Sequence, residues 1–228
     1  MPATTTEKGL PARKAILIVD DHPMLRRGLA ALIESESDLV VCGEVASCAA
    51  ALDAIREHLP DLVMVDLSLE GSDGLDLIKE MKARHPEIPA LVLSMYDEAV
   101  YAERALRAGA WGYVTKQELD DTVLLAIRRL LGGEMYLSGK LERRLAAKYL
   151  GERTVMAESP LQALSDRELQ VFRLIGRGRG TRQIAETLHL SIKTVESHRE
   201  HIKQKLRLES ATELAHRATQ WVETGHTG

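Results

Sequence analysis

Polar side chains able to do chemistry follow several short apolar runs in the N-terminal half of this chain. A short apolar run bounded by turn residues is typical of a strand buried on both faces of a parallel sheet. Because open parallel sheets place ligands beyond the carboxyl ends of their strands, we expect these side chains to converge on one edge. They are Asp20, Asp21, Asp66, Ser94 and Lys116.

Carboxylates held within a few ångströms of each other repel, so one must be protonated or a cation must lie between them. Hard oxygen ligands without imidazole or thiolate favour Mg²⁺ or Mn²⁺ as that cation. A carboxylate beside such an ion, with an amine and a hydroxyl nearby, is suited to accept a phosphoryl group. His22 follows the acidic pair but opens a helix, and we expect it to be a capping or surface residue outside the set.

Alternating strands and helices between residues 15 and 131 would position these groups. The apolar pattern predicts strands at 15–19, 39–45, 62–66, 90–94 and 110–114, each followed by an amphipathic helix. This alternation predicts an α/β fold with a doubly wound five-stranded parallel sheet and helices on both faces. Residues 136–151 predict a connecting helix, and residues 152–160 a flexible linker that ends in Ser-Pro.

The strand-end residues, with Tyr113-x-x-Lys116 after Gly109-Ala110, resemble the receiver domain of bacterial two-component response regulators over about residues 16–131. The resemblance implies a flavodoxin-like sheet of order 2-1-3-4-5. It implies Asp66 as phosphoacceptor and Lys116 as phosphate-binding residue, with Ser94 and Tyr113 as switch residues. The implied ligands of Mg²⁺ are Asp20, Asp21, Asp66 and the backbone carbonyl of Ser68, and Asp21 is expected to bind the ion directly.

The C-terminal part has a different composition. Residues 165–207 contain 10 Lys and Arg against 5 Asp and Glu, although the whole chain has a formal net charge of −4. This balance favours a polyanionic partner. Ser165-x-x-Glu168 has the spacing of a capping box, while Thr181 and Ser191 are expected to cap two further helices. Two helices joined by three residues predict a helix-turn-helix, a smaller all-α domain.

This part of the chain closely resembles the LuxR-type DNA-binding domain in its motifs 164–168, 183–185, 188–191, 193–198 and 202–206. Together with a receiver, they make the chain similar to NarL/FixJ-type response regulators. On the third helix we expect Glu196 and Ser197 to contact base edges, and His198 to be a packing residue. Glu200 could read cytosine or pair as a solvated charge with neighbouring cations. The expected phosphate contacts are Lys193, Thr194, Arg199 and Lys203.

These boundaries predict a receiver over 14–133, a connecting helix and linker over 134–160, and a DNA-binding domain over 161–226. The apolar helix over 211–222 has an exposed face that is a candidate dimer surface. No membrane span or signal peptide is evident, so we expect a cytoplasmic protein. Cys42 and Cys48 lack the spacing of a metal site, which favours reduced packing residues.

The leading hypothesis is a transcription regulator that a sensor histidine kinase phosphorylates on Asp66, so that its recognition helices become free or paired and bind promoter DNA as a dimer. Such a protein accepts a phosphoryl group and can lose it again without being a turnover enzyme. An aspartate-dependent phosphohydrolase would be expected to carry Asp-x-Asp at its nucleophile. This chain instead has Asp66-Leu67-Ser68, which lacks the second carboxylate. A dinucleotide-binding protein usually has Gly-x-Gly-x-x-Gly after its first strand, and this chain lacks that motif there. The complete pocket disfavours a receiver that no longer takes phosphate.

Overall fold

The computed structural model describes residues 13–69, 72–96, 98–118, 121–150 and 159–223. Their strands form one parallel sheet of order β2-β1-β3-β4-β5, which confirms the predicted fold class and strand order. The strands are β1 (Lys14–Val19), β2 (Leu39–Val45), β3 (Leu62–Asp66), β4 (Ala90–Ser94) and β5 (Gly112–Thr115).

Helices cover both faces of the sheet. Alternate residues of β1 separate two apolar cores, since Ile16 and Ile18 pack with α1 and α5 while Leu17 and Val19 pack with α2, α3 and α4. The central strands are therefore buried on both faces, as their continuous apolar runs predict. These helices are α1 (Pro23–Glu34), α2 (Cys48–His58), α3 (Gly74–Arg84), α4 (Glu98–Ala108) and α5 (Asp121–Leu131).

The fifth strand begins two residues later than the sequence pattern predicts. The backbone N–H groups of Gly109 and Ala110 both bind the carbonyl of Ala105, so these residues still belong to the end of α4. Gly109 has a φ of 119°, a conformation that glycine adopts without strain. The chain turns there and enters the sheet at Gly112.

The C-terminal part is helical throughout its described residues. A 3-10 turn (Pro160–Ala163) precedes α7 (Asp166–Gly176), α8 (Thr181–Thr187), α9 (Ile192–Leu206) and α10 (Ala211–Glu223), while α6 (Gly139–Tyr149) follows α5. The predicted linker over 152–160 lies outside the described residues except for its last two positions. Among the residues described, no helix has both the length and the apolar character needed to cross a bilayer.

Helix caps follow the sequence with one exception. The Ser165 hydroxyl accepts the N–H of Glu168 at 3.3 Å, and the Glu168 carboxylate accepts the N–H of Ser165 at 2.7 Å, which confirms the capping box. Ser191 caps α9 by accepting the N–H of Thr194. The expected cap at Thr181 is wrong, because α8 begins one residue earlier. Gly180 occupies the cap position there, and its N–H donates to the side chain of Gln183.

The two parts of the chain pack against each other through α7 and α10. Asp166, the first residue of α7, accepts hydrogen bonds from Lys79 of α3 at 3.0 Å and from Arg104 of α4 at 2.9 Å. The Trp221 ring of α10 stacks on Tyr96 and Tyr101. The interface therefore has an apolar aromatic centre and a charged rim.

Candidate functional site

The carboxyl edge of the sheet brings together the side chains that the strand ends predict. Asp20 directly follows β1, Asp66 ends β3, Ser94 ends β4, and Lys116 directly follows β5. All are buried, with Asp66 only 2% exposed. Since charged groups are seldom buried unless they are paired, their pairing decides what this edge can do.

Lys116 binds two of the carboxylates. Its Nζ lies 2.7 Å from Oδ2 of Asp20 and 2.8 Å from Oδ2 of Asp66. The contact with Asp20 is a hydrogen bond, and the contact with Asp66 is an ion pair. Burial raises the pKa of Asp66 above its ordinary value, the nearby Asp20 adds to the rise, and Lys116 opposes it.

Two carboxylate oxygens at this edge are placed to hold a cation. Oδ1 of Asp21 and Oδ2 of Asp66 are buried and accept no hydrogen bond from the described residues. Ligand atoms of Asp20, Asp21, His22 and Asp66 all lie within 4.8 Å of one another. Buried carboxylate oxygens in a net acidic pocket fit the hard-oxygen coordination of Mg²⁺ or Mn²⁺. The residues present therefore fit the ion that the sequence predicts.

The prediction that no imidazole joins this cluster is wrong. His22 occupies the cap position of α1, as expected, but its side chain makes no capping hydrogen bond. Its Nδ1 instead lies 2.7 Å from Oδ1 of Asp21 and 3.2 Å from Oδ1 of Asp20. The imidazole thus pairs with the acidic residues that come directly before it instead of capping the helix.

The backbone around Asp66 is tightly constrained. The N–H of Ser68 donates to Oδ1 of Asp66 at 3.1 Å, which fixes one carboxylate oxygen and leaves the other toward Lys116. Gly74, the first residue of α3, packs so closely that a Cβ there would lie 2.3 Å from the Asp66 carbonyl oxygen. The glycine thus permits the close approach of α3 to the end of β3.

Ser94 and Tyr113, the expected switch residues, are joined through Tyr96. The Ser94 hydroxyl accepts the N–H of Tyr96 at 3.0 Å, and the buried Tyr113 hydroxyl donates to the carbonyl of Tyr96 at 2.8 Å. Sequence reasoning missed Tyr96, which lies beyond the end of β4 and carries no motif signal of its own. Its ring reaches the second half of the chain through Trp221.

Helix α7 also approaches the acidic edge. The Gln170 amide donates to Oδ2 of Asp73 at 2.7 Å, and the buried Arg173 lies 3.6 Å from that carboxylate and 3.4 Å from the carbonyl of Leu67. Sequence reasoning missed this contact because it assigned α7 to the DNA-binding part alone. The net charge of α7 gave no sign that it would bind the receiver.

The predicted DNA-contacting residues all lie on α9. Lys193, Glu196 and Ser197 are exposed, and Thr194, Arg199 and Lys203 are partly exposed. Glu200 pairs with Lys203 at 2.9 Å, the solvated-charge alternative for that glutamate. Val195 and Ile202 are fully buried on the face opposite these exposed residues, and His198 beside them is partly buried, as expected. Helix α9 therefore presents a polar face to solvent and an apolar face to α7 and α8.

The fold and the acidic edge define a receiver joined to a helix-turn-helix domain, and comparison with known families agrees. The response regulator receiver domain matches residues 16–128, and the LuxR family of bacterial regulatory proteins matches residues 162–218. The chain belongs to the response regulators of the NarL/FixJ type, which carry a receiver and a LuxR-type DNA-binding domain.

Named relatives cover nearly the whole chain. The oxygen regulatory protein NreC of Staphylococcus haemolyticus is 37% identical over 87% of this chain and 94% of its own length, as is NreC of Staphylococcus aureus. RcsB of Salmonella enterica serovar Typhimurium, solved bound to promoter rprA with phosphomimetic BeF3-, is 26% identical. That match covers 91% of this chain and 98% of RcsB, with a TM-score of 0.70. A LuxR-family response regulator from Aurantimonas is 31% identical over 61% of this chain and 99% of its own, with a TM-score of 0.57.

Proposed function

We propose that this chain is a transcription regulator that a sensor histidine kinase activates by phosphorylating Asp66, and that it then binds promoter DNA as a homodimer. The observation that carries the proposal is the buried ion pair of Asp66 with Lys116, beside the buried Oδ1 of Asp21. A phosphoaspartate needs a nearby cation and an amine to offset the charge on its oxygens.

The transfer step uses residues already in place. An oxygen of Asp66 attacks the phosphorus of the kinase phosphohistidine, the phosphorus–nitrogen bond breaks, and the leaving imidazole takes up a proton. Lys116, already in contact with Asp66, then binds a phosphoryl oxygen. Asp20, Asp21, Asp66 and the Ser68 carbonyl would hold Mg²⁺ or Mn²⁺, which would supply further positive charge beside the phosphoryl group. Hydrolysis of the phosphoaspartate returns the protein to its starting state.

The switch proceeds through Ser94 and Tyr113. The Ser94 hydroxyl, now bonded to the N–H of Tyr96, turns to donate to a phosphoryl oxygen. This removes a hydrogen bond to the backbone of Tyr96, whose carbonyl also accepts a hydrogen bond from Tyr113. Tyr96 then moves relative to Trp221, which weakens the contact between the receiver and α10.

The output of the switch is pairing of the DNA-binding domains. Lys193, Glu196 and Ser197 are already exposed, which favours pairing over the uncovering of α9. The apolar end of α10, with Trp221 engaged by the receiver, becomes the dimer surface once it is released. In this proposal residues 14–133 act as receiver, 134–160 as connector and 161–226 as DNA-binding domain, and α9 contacts base edges and phosphates.

The test compares promoter binding and sedimentation of the full chain with and without a small phosphodonor and Mg²⁺. Wild type is expected to dimerise and bind more tightly with the phosphodonor. Asp66→Asn is expected to show no response. Asp53→Asn, which alters an exposed carboxylate on α2 with an ion pair to Arg56, is the matched control and should behave as wild type. Equal binding by all three proteins under both conditions would refute the phosphorylation switch and leave the DNA-binding role standing.

A further inference from the structure

A second group of metal-ligating side chains lies where α7 meets α9, within the DNA-binding part and separate from the acidic edge. Glu168 of α7 faces His198 and His201 of α9, and one ligand atom of each lies within 4.8 Å of the others. The two histidines are three positions apart, so they share one face of the helix. The family match and the sequence motifs assign no ligand to this group.

Glu168 has one oxygen engaged and one available. Its Oε2 accepts the N–H of Ser165 and the ammonium of Lys205, both at 2.7 Å. Its Oε1 faces Nδ1 of His201 at 3.9 Å. The carboxylate is therefore fixed in position by its own cap and by Lys205, and its second oxygen faces the imidazole of His201.

His198 supplies a buried nitrogen that needs a partner. Its Nδ1 is inaccessible to solvent and makes no hydrogen bond with the described residues. A neutral imidazole has the lone pair that a metal ion binds, and an unpaired buried nitrogen has a cost that such an ion removes.

We propose that Glu168, His198 and His201 form a binding site for a borderline transition-metal ion of the Zn²⁺ class. Two imidazoles and a carboxylate are a donor set that Zn²⁺ uses, and they leave a fourth position for water. Ligands bonded at about 2.1 Å around a tetrahedral ion lie about 3.4 Å apart. Oε1 of Glu168 and Nδ1 of His201 are 3.9 Å apart. A small rotation of the His201 side chain, which is 59% exposed, would bring them to this spacing.

The site would tie the recognition helix to the helix that binds the receiver. Helix α7 contacts the receiver through Asp166 and Gln170, while α9 carries the predicted DNA contacts. Lys205 already joins the two helices through Glu168, and its charge opposes a cation at the same carboxylate. A bound metal would link α7 and α9 in addition to the Lys205–Glu168 ion pair. It would thereby raise the thermal stability of the C-terminal helices.

The test is a Co²⁺ titration of the full chain, with Co²⁺ as a spectroscopic probe of tetrahedral coordination. Asp21→Asn and an excess of Mg²⁺ remove competition from the acidic edge in every sample. We expect one tetrahedral Co²⁺ per chain and a Zn²⁺-dependent rise in melting temperature. His201→Ala, at an exposed position, should weaken Co²⁺ binding by about 100-fold or more and abolish the rise.

His216→Ala removes an exposed histidine of α10 outside the group and is the matched control. It should bind Co²⁺ and respond to Zn²⁺ as the parent does. His198→Gln tests the buried nitrogen separately and should also lose binding. Equal Co²⁺ affinity in the His201→Ala and His216→Ala proteins, or the absence of a tetrahedral spectrum in the parent, would overturn the proposal.

Discussion

The phenol ring of Tyr96 stacks on the indole of Trp221, with ring centroids 5.7 Å apart and planes 7° apart. Tyr96 lies two residues after Ser94 at the end of β4, whereas Trp221 lies in the last helix of the chain. Arg177 donates to the Tyr96 hydroxyl at 3.2 Å, and the Arg173 guanidinium lies over the same ring at 5.6 Å. One side chain thus connects the receiver switch to both α7 and α10.

Arg104 holds this interface together from the receiver side. Besides Asp166, its guanidinium donates to the carbonyls of Leu161, Gln162 and Leu164. We expect Arg104→Ala to remove interface bonds worth about 1.5–3 kcal/mol and so to release α10 without phosphorylation. Promoter binding without phosphodonor, measured by fluorescence anisotropy, should tighten about tenfold or more.

Arg107→Ala is the matched control for this prediction. Arg107 lies one turn further along α4, is mostly exposed, and pairs with Glu103 of its own helix. It should leave unphosphorylated binding unchanged. If Arg104→Ala and Arg107→Ala bind DNA alike, the interface does not restrain the output.

Asp166 makes the docking of the two parts sensitive to acid. Burial raises the pKa of Asp166, but the hydrogen bonds and charges of Lys79 and Arg104 outweigh it and hold the pKa below its ordinary value. An undocked Asp166 regains a pKa of about 3.9. Because the docked pKa is the lower one, this contribution to docking is complete above the ordinary pKa and is lost as pH falls through the lowered value.

The acid-induced loss of docking can be followed by Trp221 fluorescence in a Trp111→Phe background. Trp221 is then the remaining tryptophan, and it lies at the interface. We expect an acid transition in the parent that precedes global unfolding. Asp166→Asn should weaken docking at neutral pH and remove that transition. An unchanged acid transition in Asp166→Asn would assign the pH dependence to another group.

The strand-end residues could be predicted because their signal is local. An apolar run followed by Asp66 or Lys116 fixes both the strand and the edge where its last residue lies. The roles of Tyr96 and Arg173 depend instead on contacts between parts of the chain that are far apart in sequence. No periodicity in β4 or α7 predicts which surface each will bury.

The orientation of a histidine ring likewise cannot be predicted from a sequence pattern. The position of His22 at the start of α1 was predictable from Pro23. The direction of its imidazole toward Asp20 and Asp21 depends instead on the side-chain rotamer. The position of His198 beside the apolar face of α9 was predictable in the same way. The lack of a partner for its Nδ1 and the closeness of the residue to Glu168 of α7 depend on how the two helices pack.

Gly74 and Gly28 offer a matched pair for the packing around Asp66. A Cβ at Gly74 would lie 2.3 Å from the Asp66 carbonyl oxygen and 2.8 Å from Cα of Leu67, so Gly74→Ala must displace backbone. We expect a loss of about 1–3 kcal/mol in the free energy of unfolding, measured with urea, and slower phosphorylation of Asp66. Gly28 in α1 has open space around it, and Gly28→Ala should stabilise by up to about 1 kcal/mol. Equal effects of the two substitutions would contradict the assigned contact.

The charges of α9 predict how DNA binding responds to salt. If Arg199 neutralises a phosphate, Arg199→Ala should reduce the slope of log affinity against log salt by about 1 for every DNA sequence. Glu200 pairs with Lys203, so Glu200→Gln should free that lysine and raise both affinity and slope, again without regard to sequence. If Glu200 instead contacts a cytosine, Glu200→Gln should weaken binding, and only at the specific promoter. Arg84→Ala, on the receiver helix α3, should leave the slope unchanged, which separates local phosphate contacts from the effect of net charge.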